Sequence, residues 1–289
     1  MNNKIKLNLV AFCTVLLWAS AFPMTKIAMS HFSSNGLAFV RCSVATIFLI
    51  VIGRVNHIKG PHRKSDILWF ILSGGTGFAL YMITFNAGLK TITSATSSII
   101  IALAPILTAV MASKLYHETI RPFGWCMIGV AFSGVVVLVL WRGVLYINSG
   151  MLWTIGAAAV FSIYNIVNRK LSSMGYSSLE IVTYSMVCAV VLLAGFSVQG
   201  ISQLGAASAG EVFSVIYLGV MPGAAAYSLW GKAMALSERT SEVTNYLFVT
   251  PLLSAIMGFI LLHEMPNGGT FIGGAVIIVS MVLFGIKGR

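Results

Sequence analysis

Residues 77–118 read GFALYMITFNAGLKTITSATSSIIIALAPILTAVMASKLYHE, and residues 223–264 read GAAAYSLWGKAMALSERTSEVTNYLFVTPLLSAIMGFILLHE. Aligned without a gap, the two stretches share eleven identities, including a tyrosine, a proline and a terminal His-Glu pair. A biased composition would produce only a few such identities by chance. The shift between the stretches is 146 positions, about half of the 289-residue chain. The sequence therefore predicts a duplication of one structural unit.

The composition of the whole chain is that of a membrane protein. Hydrophobic residues make up 58% of the chain and charged residues 9%, against roughly 45–50% and 25% in soluble domains. A membrane-spanning helix needs about 20 mainly apolar residues, so ten helices would leave roughly 89 residues for connections and termini. This excludes a soluble domain, and with it a cytosolic enzyme, a nucleic-acid-binding protein and a peripheral membrane protein.

Ten apolar runs separated by short polar or glycine-rich connections predict ten transmembrane helices. Continuous runs such as 135–140 and 187–193 do not alternate as the strands of a β-barrel would. We therefore expect an all-α integral membrane protein. The predicted spans are 7–29, 35–53, 67–89, 95–115, 122–141, 150–168, 179–198, 211–234, 243–262 and 269–286.

The positive charges predict the orientation of the chain in the membrane. Lys and Arg near helix ends are retained on the cytoplasmic side. With a cytoplasmic N-terminus, fourteen of the eighteen Lys and Arg residues fall in cytoplasmic segments, which also places the C-terminus inside. The exceptions are Lys26, Arg41, Lys90 and Arg142. The net charge of +11 is thus interpreted as a topology signal and not as affinity for nucleic acid.

The duplication predicts two five-helix units, residues 1–146 and 147–289. Because five is odd, the second unit enters the membrane in the opposite direction, which makes an inverted repeat. Two inverted units can rock against each other and expose one central site to either side in turn. Duplication can also simply build a larger helix bundle, but the inversion and the lack of a soluble domain favour transport.

The run WASAFP at 18–23, the repeated prolines, and Glu118 and Glu264 at the ends of the fourth and ninth helices complete this pattern. In this combination the chain resembles the EamA family of the drug/metabolite transporter superfamily, and the likeness covers nearly its whole length. The resemblance implies an exporter of amino acids or other small metabolites in the bacterial cytoplasmic (inner) membrane. It also implies a central cavity formed mainly by helices 1, 3, 4, 6, 8 and 9.

Aromatic and amide side chains within the spans are candidates for contact with the substrate, since polar groups in a span should face protein or water. Aromatic faces can stack on a solute, and Asn amides offer both donors and acceptors. Ordinary core packing, an interfacial aromatic belt and interhelical hydrogen bonds stay open as alternatives. The candidate substrate-binding residues are Trp18, Phe22, Tyr81, Phe85, Asn86, Tyr164, Asn165, Tyr227, Trp230 and Asn245.

Pro105, Pro251 and Arg41 are candidates for hinge or gating roles. The two prolines lie at equivalent places in the middle of predicted spans, where each removes a backbone hydrogen bond and can bend the helix. Arg41 lies about six residues, or about 9 Å, inside the outer end of helix 2. Its side chain could snorkel to the outer interface, or it could attract an anionic group such as a substrate carboxylate.

Glycines in helices 5 and 10 predict close helix approach. Gly129 and Gly134 lie in helix 5, and Gly269 and Gly273 form a small-xxx-small pair in helix 10. We expect these contacts within the bundle, although a homodimer interface stays open.

Catalytic and cofactor signatures are absent from the sequence. It contains no H-E-x-x-H or G-x-S-x-G motif, and all five histidines fall in connections or at helix ends. We therefore predict neither an enzyme active site nor a metal or cofactor site. None of the seven acidic residues lies deep in a span, which gives no support to proton antiport. Facilitated uptake or exchange of small organic solutes and a non-transporting membrane scaffold stay open as alternatives.

Overall fold

A computed structural model describes residues 3–117, 119–141, 148–236 and 245–288. Within these ranges the regular structure is entirely helical and contains no strand. The first half contains α1 (Asn3–Ala28), α2 (Ser34–Val55), α3 (Ile67–Gly74), α4 (Leu80–Leu89), α5 (Ser94–Ile101), α6 (Ala104–Leu115) and α7 (Pro122–Leu140). The second half contains α8 (Ser149–Ser173), α9 (Ser178–Leu192), α10 (Ser197–Gly205), α11 (Ala209–Val220), α12 (Ala226–Leu236), α13 (Thr250–Leu262) and α14 (Gly268–Lys287).

The described helices make the chain a multi-pass membrane protein. Eight helical segments are long and apolar enough to cross a bilayer, and α9 with α10 would make a ninth. The described part of the predicted span 243–262 contains α13, an apolar helix of 13 residues that is shorter than any of the eight spanning segments. Residues 243 and 244, Glu118 and Arg142 lie outside the described residues.

The seventh predicted span differs from the structure. We predicted one helix over 179–198, but α9 ends at Leu192 and α10 leaves at an angle of 55° after a short 3-10 turn, Ala194–Phe196. The turn contains Gly195, a poor helix former. The apolar run continues across this bend, so hydropathy alone did not reveal it.

Polar cap residues determine where several helices begin. Ser177 and Ser208 form capping boxes with Glu180 and Glu211, in which each side chain bonds the backbone N–H of the other residue. Four further helices begin after a side-chain cap. These caps are Ser33, Thr93, Asn148 and Asn267. Two of the seven acidic residues therefore serve as helix caps.

Local backbone features recur at the 146-residue spacing of the sequence repeat. A five-residue π-helical segment, Gly75–Ala79, separates α3 from α4, and a second one, Met221–Ala225, separates α11 from α12. His117 and His263 both adopt left-handed backbone angles, with φ of 54° and 52°. The starts of α1, α6 and α7 are likewise 146 residues from those of α8, α13 and α14.

Contrary to our prediction, Pro105 and Pro251 do not lie in the middle of continuous α-helices. Each is the second residue of a helix, in α6 and α13. Proline lacks an N–H and its ring clashes with the carbonyl four residues earlier, whereas the first turn of a helix tolerates it. The break in the fourth span therefore falls at 102–103, ahead of the proline.

The first helix of each half packs mainly against helices of the other half. α1 contacts α11, α12 and α13, and α8 contacts α4, α5 and α6. The Ser20 and Tyr217 hydroxyls, 2.7 Å apart, form a hydrogen bond between α1 and α11. The two halves are therefore interlocked and do not form separate bodies.

A hydrogen-bonded cluster attaches the loop after α2 to the turn between α8 and α9. The Tyr176 hydroxyl donates to Asp66 Oδ2 (2.6 Å) and accepts from the backbone N–H of His62 (2.6 Å). The His62 ring stacks on Tyr176, with 4.2 Å between centroids. Burial and the Asp66 carboxylate raise the pKa of Tyr176, so the phenol stays protonated and can donate.

α7 and α14 form an antiparallel pair with very close backbones. The Arg121 N–H donates to the Gly288 carbonyl at one end (3.1 Å), and Trp141 packs on Gly269 at the other. Gly134 and Gly273 face each other between these ends. These three glycine contacts lie within the bundle, as we expected, whereas a Cβ at Gly129 would meet no atom within 4 Å.

This packing predicts opposite effects for two substitutions on the same helix. In Gly134→Ala the new Cβ would lie 2.8 Å from Ile277 Cγ1 and 2.9 Å from the Gly273 carbonyl oxygen. Such overpacking costs about 1–3 kcal/mol, so the thermal unfolding midpoint in detergent should fall. The control, Gly129→Ala, should leave the midpoint unchanged or raise it, because alanine favours a helix by about 1 kcal/mol over glycine. Equal midpoints for the two variants would contradict the assigned contact.

Candidate functional site

Nine aromatic side chains meet where α1, α4, α8 and α12 converge, and we call them the central aromatic cluster. Consecutive members contact each other, with ring centroids 5.1–5.5 Å apart. The chain of contacts returns to α1, where the second member, Trp18, and the last member, Phe22, lie one helical turn apart. The members in order of contact are Trp230, Trp18, Tyr227, Phe78, Tyr164, Phe161, Tyr81, Phe85 and Phe22. Each half of the chain contributes to the cluster.

Seven of the ten predicted substrate-binding residues belong to this cluster, but Phe78 and Phe161 were not predicted. The sequence nevertheless contained a signal for each of these two residues. Phe78 precedes Tyr81 by three residues, and Phe161 precedes Tyr164 by three, a spacing that in a helix places side chains on one face. The π segment that contains Phe78 modifies this spacing locally, and periodicity does not indicate such a segment.

Gly77 permits the closest contact within the cluster. A Cβ at this position would overlap the ring of Tyr164 from α8. Tyr164 is thereby pressed against the backbone of the π segment, and its hydroxyl accepts a hydrogen bond from Asn168 Nδ2 (2.9 Å). The glycine therefore shapes the site without contributing a side chain.

The predicted asparagines lie at helix contacts. Asn86 is fully buried, and its Nδ2 donates to the Ser34 carbonyl (2.8 Å) while its Oδ1 has no hydrogen-bond partner. Asn165 Nδ2 donates to Thr108 Oγ1 (3.1 Å), which joins α8 to α6. In this conformation both amides make interhelical bonds, the alternative to substrate contact considered above. The side chain of Asn245 lies outside the described residues.

Arg41 does not snorkel to the membrane interface. It is 5% exposed and points into the bundle, where Nη1 donates to Thr25 Oγ1 of α1 (3.3 Å). Its Nε has no hydrogen-bond partner. Tyr81 and Tyr227 lie within the range of direct electrostatic interaction with the guanidinium. Arg41 therefore adjoins the central aromatic cluster through two tyrosines at equivalent positions of the sequence repeat.

Lys26 and Glu264 form an ion pair that the sequence did not predict. Lys26 Nζ contacts Glu264 Oε1, and the side chains are 23% and 12% exposed. Lys26 also donates to the Ile92 carbonyl (2.9 Å), and Glu264 Oε2 accepts from the Ser94 N–H at the start of α5 (2.6 Å). The pair thus connects α1, α5 and the end of α13. Its members are 238 residues apart in the chain, beyond the reach of any local pattern.

The chemistry of this region suits the binding of a small solute. The described residues contain no group of three or more His, Cys, Asp or Glu side chains able to hold a metal ion. Aromatic faces offer stacking and cation–π contacts, while Arg41 offers a positive charge with unused donor capacity. Such an arrangement can hold a small solute without changing it.

Comparisons with known proteins agree with an all-helical membrane fold. The chain is 28% identical over 273 residues to a probable terminal-alkyne amino-acid exporter of Streptantibioticus cattleyicolor, covering 93% of this chain and 90% of the relative. It is 25% identical to an S-adenosylmethionine uptake transporter of Rickettsia prowazekii, covering 98% and 95%. An uncharacterized transporter of Bacillus subtilis, YdfC, is 28% identical, covering 91% and 85%.

A solved crystal structure of a protein with no stated function shares the fold. Its TM-score is 0.64 at 19% identity, and the match covers 98% of each chain. The model of the EamA-like transporter family matches residues 5–140 and 148–286, which together are nearly the whole chain. The relatives are named as transporters and not as enzymes. The chain belongs to the EamA-like transporter family.

Proposed function

We propose that the protein exports amino acids or related small metabolites across the bacterial cytoplasmic membrane by alternating access. The observation that carries the proposal is the central aromatic cluster, because helices of both halves build it. A site shared in this way changes when one half moves against the other. The name of the relative from Streptantibioticus, an amino-acid exporter, supports both the substrate class and the direction.

The architecture we propose is ten spans in two inverted five-helix units, residues 1–146 and 147–289. The recurrence of π segments, helix starts and left-handed histidines at a spacing of 146 residues supports it. So do the antiparallel pairing of α7 with α14 and the two family-model matches. The tenth span would be the predicted segment 243–262, of which α13 is the described part. The distribution of Lys and Arg supports cytoplasmic termini.

The ten candidate residues retain their proposed substrate-binding role. Trp18, Phe22, Tyr81, Phe85, Tyr164, Tyr227 and Trp230 would contact the solute directly, since they form the cluster. Asn86 and Asn165 would contribute only after their helices move, and Asn245 remains a candidate from the sequence alone. We further propose that the backbone breaks ahead of Pro105 and Pro251 are the places where the fourth and ninth spans flex.

In the proposed orientation, the contacts around Lys26 and Glu264 close the outer side of the bundle. Phe22 and Phe85, with ring centroids 5.2 Å apart, pack between this ion pair and the rest of the cluster. Release of a solute to the outside requires both contacts to separate. The conformation described by the structure would therefore be closed toward the outside.

Uptake or exchange of small solutes is the second candidate function, because one relative is named as an uptake transporter. Comparing the medium and the cell contents of bacteria with and without the protein distinguishes the candidates. Export enriches particular metabolites in the medium, whereas uptake depletes them there. A scaffold without transport activity would change neither.

We expect the Trp18→Ala variant to lose most of this export. Trp18 lies in the cluster against Tyr227 and Trp230. Loss of an aromatic contact between Trp18 and the solute, worth about 1 kcal/mol, corresponds to about fivefold in transport. The matched control is Phe12→Ala on the same helix, whose side chain is exposed to lipid. The measurement is metabolite enrichment in the medium, normalised to the amount of folded protein in the membrane. Full export by Trp18→Ala would refute a substrate contact at this residue.

The closure by Lys26 and Glu264 can be tested by thiol labelling of Phe22→Cys, in a background with the four native cysteines replaced by serine. We expect Glu264→Gln to increase labelling by a membrane-impermeant thiol reagent about tenfold, because a neutral amide no longer pairs with Lys26. Exchange of both charges, Lys26→Glu with Glu264→Lys, should restore part of the protection.

Glu211→Gln is the control for this experiment, since Glu211 faces His31 at the same membrane side but makes no contact with Lys26. It should leave labelling unchanged. If Glu264→Gln and Glu211→Gln gave the same labelling rate, the ion pair would not hold the outer side closed.

A further inference from the structure

Arg41 is a buried cation that forms no ion pair with any described residue. The side chain is 5% exposed, and its hydrogen bond to the neutral Thr25 hydroxyl is a long one. An uncompensated charge within a membrane bundle is costly, so intramembrane ionisable groups normally pair with an opposite charge or line a water-filled or substrate pathway. We therefore expect an anion to pair with the Arg41 guanidinium.

The described carboxylates are engaged elsewhere. Asp66 accepts from Tyr176, and Glu264 pairs with Lys26. Glu180 and Glu211 cap α9 and α11. None of these four forms an ion pair with Arg41. Within the described part of the chain, no carboxylate is therefore available to pair with the guanidinium.

Arg41 lies near two tyrosine hydroxyls that, like its own Nε, have unused hydrogen-bond donors. Arg41 Nε donates to nothing in the described residues. The hydroxyls of Tyr81 and Tyr227 lie within electrostatic range of it and form no hydrogen bond within the described structure. Three unused donors from three helices, α2, α4 and α12, are therefore grouped at the edge of the central aromatic cluster.

We propose that Arg41 binds the carboxylate of the transported solute, while the remainder of the solute lies on the central aromatic cluster. This inference rests on the proposed transport function and narrows it to solutes that carry a carboxylate. The planar guanidinium matches a carboxylate with two parallel N–H···O bonds. The Tyr81 and Tyr227 hydroxyls donate to the same group.

A carboxylate fits this site better than a phosphate. One carboxylate balances the single charge of Arg41. A doubly charged phosphate would leave a net negative charge in the bundle, and the neighbouring cation, Lys26, is already paired with Glu264. The substrate class is therefore a monocarboxylate or a zwitterion whose cationic end can lie against aromatic faces.

The test compares Arg41→Met with Arg54→Met, which removes an exposed cation from the end of the same helix. Untargeted metabolite analysis of the medium identifies the compounds that the wild-type protein enriches or depletes. We expect all of them to carry a carboxylate. Arg41→Met should reduce their transport at least about tenfold, Arg41→Lys should retain part of it, and Arg54→Met should transport as the wild type does.

Thermal unfolding of the purified variants separates a binding role from a structural one. Without solute, Arg41→Met should unfold at the wild-type midpoint or above it, because it removes a buried charge that lacks a partner. A lower midpoint together with lost transport would show that Arg41 supports the fold, and the inference would be wrong.

Two further outcomes distinguish failure of the inference from failure of the proposed function. Transported compounds without a carboxylate, or normal transport by Arg41→Met, would overturn the role of Arg41 and leave transport standing. If the wild-type protein altered no metabolite in the medium or in the cells, the transport function would fail, and the inference would fail with it.

Discussion

Hydrocarbon contains no water to bond a free peptide group, and this constraint governs the whole molecule. A helix satisfies its own backbone, so every described span is helical. Three departures from regular α-helix, the two π segments and the break of the fourth span, lie mostly where protein covers them. Residues of both π segments are buried, among them Gly77 and Gly223, and Leu103 at the break of the fourth span is buried as well. The irregular backbone of these three segments thus lies between helices, whereas the 3-10 turn Ala194–Phe196 contains no buried residue.

The same constraint sorts the polar side chains into two groups. Hydroxyls of residues such as Thr76 and Thr154 donate to the carbonyl four residues earlier on their own helix, so they need no distant partner. Arg41 cannot satisfy five N–H donors in this way. A side chain that the helix cannot satisfy depends on the rest of the bundle or on a bound solute. Its location is therefore informative about function, whereas that of a self-bonded hydroxyl is not.

Features that depend on neighbouring residues could be predicted from the sequence, and features that depend on distant ones could not. The all-helical membrane fold and most of the cluster residues followed from hydropathy and helical spacing. The proline breaks were predicted in the correct spans but a few residues late, because the ring disrupts the turn before it. The Lys26–Glu264 pair, the contact of Gly77 with Tyr164 and the burial of Arg41 arise between helices far apart in the chain. No local pattern encodes their distance or orientation.

Because the first helix of each half packs against the other half, this packing also affects how the chain folds during its synthesis. α1 packs against α12 and α13, which leave the ribosome roughly 200 residues later; at about 5–20 residues per second this is a delay of roughly 10–40 s. During this interval Thr25 and Lys26 lack the protein surroundings they have in the finished bundle. The first five helices therefore cannot reach their final packing while the chain is being synthesised, and a truncated product would present polar groups to lipid. Such exposed groups are a feature by which membrane quality control could recognise incomplete copies.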